Sequence, residues 1–194
     1  MDIPGRKERL AAIYADYAQQ AQQYKTGAAC KIGCAFCCTH FGNVDVITFE
    51  GLVIHEWING LEKPAQRRIR KKIVKNMKKK EKGIIARCPF LASDSTCQIY
   101  PVRPFSCRQL YSMKECNEKG PTVHRQAVAL AKKTVKHLQQ MDRNGYSGHI
   151  SFILHLHDRS DFRKLYQSGG FNPAEIASFG KEHGIIINRV VSAS

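Results

Sequence analysis

Residues 28–40, AACKIGCAFCCTH, place four cysteines within nine positions, separated by three residues, then two, then none. Four more follow at Cys88, Cys97, Cys107 and Cys116, with gaps of eight, nine and eight. Such a chain uses its thiols as disulfides, as metal ligands or as small buried hydrophobes. The opening MDIPGRKERLAAIYADY has no apolar run behind a basic segment, and no stretch approaches the roughly 18 consecutive apolar residues of a membrane helix. A cytoplasmic location is therefore the expectation, and there the glutathione and thioredoxin pools keep thiols reduced. Metal ligation becomes the leading use.

Thiolates are soft donors, and an all-sulfur set without matched histidines selects zinc or an iron–sulfur cluster over magnesium or calcium. Zinc ribbons bring paired cysteines about two to four residues apart, which the second group lacks. A gap of three followed by a gap of two wraps three thiolates around one corner of a four-iron cubane, with a fourth ligand from elsewhere. An iron–sulfur cluster of that type is thus favoured, with zinc as the alternative. The spacing of Cys30, Cys34 and Cys37, with Phe36 before the third, also resembles the cluster loop of radical S-adenosylmethionine enzymes, but the chain lacks their alternation of strands and helices. Neighbouring side chains on an extended or turning backbone diverge. One of Cys37 and Cys38 is therefore expected to serve a different site or to wait as a free thiol, or Cys38 to be a small buried hydrophobe.

In CQIYPVRPFSCR, Pro101 and Pro104 restrict the backbone on both sides of Arg103, so the loop between Cys97 and Cys107 is stiff before any metal binds. Arg103 and Arg108 lie close in sequence to thiolates whose negative charge they would offset, or they would hold an anionic ligand. Together, CKIGCAFCC, CPFL and CQIYPVRPFSCR resemble the CxxCxxCC family of zinc- or iron-chelating cysteine-cluster proteins, some labelled iron–sulfur oxidoreductases. The match covers about residues 28–110 and includes the pattern Tyr100, Arg103, Pro104, Cys107, Arg108. The resemblance implies a metal or cluster site built by Cys30, Cys34, Cys37, Cys38, Cys88, Cys97 and Cys107; Tyr100, Arg103 and Arg108 are the candidate cofactor-binding residues. Cys116 lies beyond the pattern. A similar module in flagellin lysine methylases implies a four-iron cluster beside a methyl-donor site, yet no methylase signature occurs here.

Around the cysteines the pattern is helical. Leu10, Ile13, Tyr14, Tyr17, Ala21 and Tyr24 form one stripe, and a helix over about 49–59 has Thr48 as its cap, Gly60 as its stop and Leu52, Trp57 and Ile58 as its core face. Pro64 and Gly83 bracket another with a thin seam of Ile69, Ile73 and Met77. Residues 84–120 lose periodicity. A stripe of Val123, Ala127, Leu130, Thr134, Leu138 and Met141 follows, then HISFILHLH, which alternates as a short strand would but is long enough for a helix. Asn172, Pro173 and Glu175 make a helix start. The expected fold is mainly α: a single helical domain over 1–194 with an irregular cysteine-rich centre and room for one short strand pair, its cluster module spanning about 28–116 between helices at 5–26 and 121–142.

Other motifs carry less. HEWIN at His55 begins like a zinc-protease helix, but Asn59 stands where the second histidine ligand belongs. On a strand, His155 and His157 would share a face and reach one ion. The helix over 63–82 holds eleven of the Lys and Arg residues of a chain with net charge +15 and pI near 9.6, a surface suited to nucleic acid but without the interleaved aromatics that stack on bases. Two functions remain: an iron–sulfur protein with a redox or cluster-assisted role, served by a redox partner or a small-molecule ligand at the cluster, and a non-catalytic zinc module shaping a basic nucleic-acid-binding surface.

Overall fold

The computed structural model describes residues 1–31, 33–117 and 120–187. Helix α1 (Ile3–Lys25) begins on Asp2, whose carboxylate accepts the Gly5 amide at 3.1 Å, satisfying one of the orphan donors of the first turn. Leu10, Tyr17 and Ala21 on its apolar stripe are buried. A π-helical turn (Cys37–Phe41) and strand β1 (Asp45–Ile47) lead into α2 (Thr48–Asn59) and α3 (Lys63–Glu81). The irregular centre contains a short 3-10 turn (Tyr100–Val102) and α4 (Phe105–Arg108). Next come α5 (Arg125–Met141), β2 (Ser147–His149), α6 (Ile150–Asp158), α7 (Ser160–Ser168), a second 3-10 turn (Pro173–Glu175) and α8 (Ile176–Glu182).

Among the described residues the protein is mainly helical around one core, with a single pair of strands. β1 and β2 run antiparallel, Asp45 opposite His149 and Ile47 opposite Ser147. They join the end of the first cysteine loop to the C-terminal helices. α1 packs on α5, while α2 and α3 both pack on α6. None of the helices is long and apolar enough to cross a membrane among the described residues.

Several expectations are corrected. HISFILHLH is helix from Ile150 onward, preceded by the strand that ends at His149. Ile150, Phe152, Ile153, Leu154 and Leu156 are all buried and only His155 and Asp158 reach the surface, so the apolar positions wrap most of α6 and leave little helical period to read. Trp57 is 37% exposed, whereas Phe49, Leu52, Ile54 and Ile58 form the core face of α2. Thr48 is the first residue of α2 and Ile47 occupies the cap position. The Thr48 hydroxyl instead bonds the Tyr146 carbonyl at 2.7 Å and accepts the Tyr146 amide at 2.6 Å. α5 begins at Arg125, leaving Val123 outside it and exposed.

Three buried features set the geometry. The Glu50 carboxylate accepts the amides of Ile47 at 3.0 Å and Phe105 at 2.7 Å and the Tyr14 hydroxyl. It thereby ties α1, the start of α2 and α4 to one group. Losing it would leave two buried amides unpaired, at about 1–3 kcal/mol each. Asp142, at the end of α5, accepts the Phe49 amide at 2.9 Å and the Tyr166 hydroxyl at 2.6 Å. Gly51 lets α2 approach α6 closely, since a Cβ there would lie 2.3 Å from the Ile153 methyl.

Gly51→Ala is therefore expected to lower stability by about 1–3 kcal/mol through overpacking, measured as a lower thermal midpoint; an unchanged midpoint would mean that α2 and α6 separate freely. Burial raises the Asp142 carboxyl from 3.8 to about 6, although the Tyr166 and Phe49 hydrogen bonds oppose the shift. The folded state then binds more protons than the unfolded chain between about pH 4 and pH 6, so this residue's share of stability declines as pH rises through that window. Urea midpoints of Asp142→Asn should vary less than those of the natural protein over the same window, and identical slopes would exclude Asp142 as the source.

Candidate metal centre

The π-helical turn resolves the cysteine doublet. Within it the Cys37 and Cys38 sulfurs lie 4.0 Å apart, side by side where an extended backbone would have separated them. Thr39 holds the turn by donating to the Ala35 and Phe36 carbonyls. Gly42 ends it at φ +49°, and a Cβ there would strike the Ala86 carbonyl oxygen at 2.4 Å. Only glycine lets the chain turn left-handed against the 86–88 strand of backbone at this point.

Three further thiols are brought to this pair by separate devices. The Cys88 amide donates to the Cys38 carbonyl at 2.7 Å, and Asn76 of α3 clips the neighbouring Arg87 carbonyl at 2.9 Å. Cys97 is paired with Leu91 across a tight antiparallel turn, which Asp94 closes by accepting the Thr96 amide at 3.0 Å. Cys107 rides on α4, whose first amide is the one held by Glu50. Glu50 stands three residues beyond the cap residue Ile47, but an isoleucine gives no capping signal in sequence, and the partner Phe105, 55 residues away, had none either.

These five thiols act on one another electrostatically. For Cys37 the bond to the Cys38 sulfur and then burial push the thiol well up. Cys38 is pulled down by Cys37 but raised more by Cys88 and burial, to about 11. Burial raises Cys107 strongly, and Cys38, Cys97 and Cys37 add to it against the opposing charge of Arg103. Burial likewise raises Cys97. Cys37, Cys38, Cys97 and Cys107 are thus held protonated, and a bound cation would displace their protons. The donor chemistry fits zinc or iron, although among the described residues no three of His, Cys, Asp and Glu already close into a coordination shell.

Cys30 and Cys34 are exposed and stand apart from the five, with Cys116. The three line a cavity of about 370 Å³ with Phe36, Lys114 and Glu115. Cys30 is raised by burial and also feels Cys34, Cys116 and Cys37, so Cys37 is the link between the two sets. The Ala29 amide, bonded to the Ser112 carbonyl at 2.8 Å, holds this loop beside the 112–116 segment. Nothing in the sequence pattern associated Cys116 with Cys30.

Around the five thiols, Arg103 stacks over the Tyr100 ring at 4.2 Å, and its buried Nε has no hydrogen-bond partner. Arg108 is used differently: it lies over the Tyr14 ring at 4.5 Å and donates to the Arg103 carbonyl at 2.8 Å and the Pro101 carbonyl at 3.1 Å. It braces the loop that carries Cys107. The histidine pair does not share a face, because α6 turns successive residues through about 100°. His157 is buried and its Nε2 meets the Thr48 carbonyl at 2.8 Å, while burial holds it down at about 3, so it stays neutral. His155 is half-buried on another side of the helix.

A helical protein with a soft-donor cysteine centre defines the class. The model of the CxxCxxCC family, described as "Putative zinc- or iron-chelating domain", matches residues 29–142, more than half of the 194 residues, and the chain belongs to this family. Metal chelation by its cysteines is therefore its general chemistry. No curated protein and no solved structure matches the chain.

In reduced, metal-free protein, exposed Cys30 and Cys34 are expected to alkylate first and Cys107 last, read by peptide mass spectrometry after a short pulse of iodoacetamide. Equal labelling of all eight would contradict the division into an open and an enclosed set.

Proposed function

We propose that the protein holds an iron–sulfur centre, with a four-iron, four-sulfur cluster favoured, and uses it in a redox or cluster-assisted role. The ligands are drawn from Cys30, Cys34, Cys37, Cys38, Cys88, Cys97 and Cys107, with the five enclosed thiols supplying the primary centre. One observation carries this reading: thiols from three separate stretches lie within electrostatic reach of one another and of Arg103. Thiolate-ligated iron–sulfur centres carry excess negative charge. Arg103, an electrostatic neighbour of both Cys97 and Cys107 with an unengaged Nε, is the residue that offsets it. Tyr100, 58% exposed and stacked on Arg103, presents the approach for a redox partner or a small anionic ligand. Arg108 positions this loop. The reading requires a reducing compartment, the cytoplasm.

When bound, such a centre supplies electron transfer or an open iron position. The chain's own residues enclose it, balance its charge and limit its exposure to solvent.

A structural zinc centre is the second reading, favoured by the Cys37–Cys38 separation. Tetrahedral zinc with Zn–S near 2.3 Å spaces its sulfurs about 3.8 Å apart, close to the observed 4.0 Å. In that case the protein would shape a basic surface for nucleic acid without catalysis.

Purification without air separates the two. Brown protein with iron and acid-labile sulfide supports the cluster; colourless protein with stoichiometric zinc supports the second reading, and neither metal overturns both. Cys107→Ser is expected to lower bound metal by more than half, and Cys116→Ser by much less. Full metal content in Cys107→Ser would remove the enclosed set from the ligand assignment.

A further inference from the structure

Helix α3 does more than expose charge. Its C-terminal half and the 86–93 segment form the two walls of a cavity of about 340 Å³, within the size range of small-molecule sites. Lys72, Lys75 and Lys79 line one wall and Arg87 the other, and Cys88 and the buried Asn76 complete it. Among the described residues no acid lines this cavity. The three lysines are spaced by three and four positions, so they stand on one helix face over about 10 Å of helix rise. Like charges so spaced repel one another.

Hydrogen bonds fix the two walls of the cavity relative to each other. Asn76 clips the Arg87 carbonyl to α3 at 2.9 Å while accepting the Ser151 hydroxyl from α6. Arg87 leans on the Ala92 carbonyl at 3.2 Å, and Lys72 reaches the Leu91 carbonyl at 3.5 Å. Lys72 thus reaches across the gap, while Arg87 is held within its own wall. By contrast Lys80, on the same helix, is engaged by the Asn43 side chain at the surface, and Lys78 is exposed outside the lining.

We infer that this cavity is a binding site for a small molecule carrying two or more linked phosphates. A compact polyanion relieves the repulsion of all four cations at once, which a single monovalent counterion does not. A long nucleic acid would follow a ridge of charge, whereas here the four cations converge on a concave space of ligand size. Its consequence for the centre is local: Cys88 belongs both to the cavity wall and to the enclosed thiols, so a ligand held here lies at the edge of the centre. The inference is independent of which metal the thiols bind.

Pyrophosphate is the probe, titrated calorimetrically into the protein as purified at near-physiological salt, with inorganic phosphate and a single-stranded oligonucleotide as parallel arms. One saturable pyrophosphate site is expected, with phosphate weaker. Lys75→Ala with Lys79→Ala should weaken pyrophosphate at least tenfold. Lys132→Ala with Lys133→Ala removes the same charge from exposed positions of α5 and should change it less than twofold. Absence of saturable binding overturns the inference, as do equal losses in the two double variants, which would indicate bulk charge alone. Oligonucleotide binding that pyrophosphate does not displace also overturns it, in favour of a polymer surface. Metal content of the same samples reports separately on the thiol centre, so loss of metal with pyrophosphate binding retained touches only the preceding reading.

Discussion

The structure depends on one buried acid. Glu50 is 3% exposed, yet it receives two backbone amides and a tyrosine hydroxyl from three different parts of the chain. Placing a carboxyl in the interior is costly unless its oxygens are engaged, and here each donor that engages them is also an element that needs positioning. Ile47 fixes the entry to α2, Tyr14 fixes α1, and Phe105 fixes the short helix that carries Cys107. The irregular centre, which has almost no periodic hydrogen bonding of its own, takes its place from this group.

The same economy governs α3. Its inner seam of Ile69, Ile73 and Met77 is buried in the core, and Asn76 on that side clips the backbone next to Cys88. Its outer face is left to charge. One helix thus serves as wall for the thiol centre and as wall for a cationic cavity, and Cys88 lies where the two meet. Part of the net charge of +15 is thus gathered in one place, where Lys72, Lys75 and Lys79 share a cavity with Arg87.

Much of the helical frame was legible because amphipathic stripes encode burial directly. Leu10, Tyr17 and Ala21 in α1, the seam of α3, and Ala127, Thr134, Leu138 and Met141 in α5 lie where their spacing places them. The reading failed where one face was not distinguished from another. α6 is apolar around most of its circumference and was open to a strand reading; α7 went unread although Phe162, Leu165 and Tyr166 stand at helical spacing, because its nine residues give less than three turns of pattern. Trp57 was assigned to the core on its chemistry although the helix turns it to the surface. His155 and His157 share a face only if the backbone is extended, and it is not.

The sequence by itself determined that eight thiols, two of them adjacent, would be offered within a helical chain with one strongly basic helix, because composition and short-range periodicity are properties of the chain. The tertiary structure alone decided how those thiols divide. Cys37 and Cys38 point together because a π-helical turn ended by Gly42 aims them so, and Cys116 joins Cys30 and Cys34 because the 112–116 segment is bonded to Ala29. Side-chain direction follows backbone dihedrals and long-range hydrogen bonds, and spacing along the chain encodes neither.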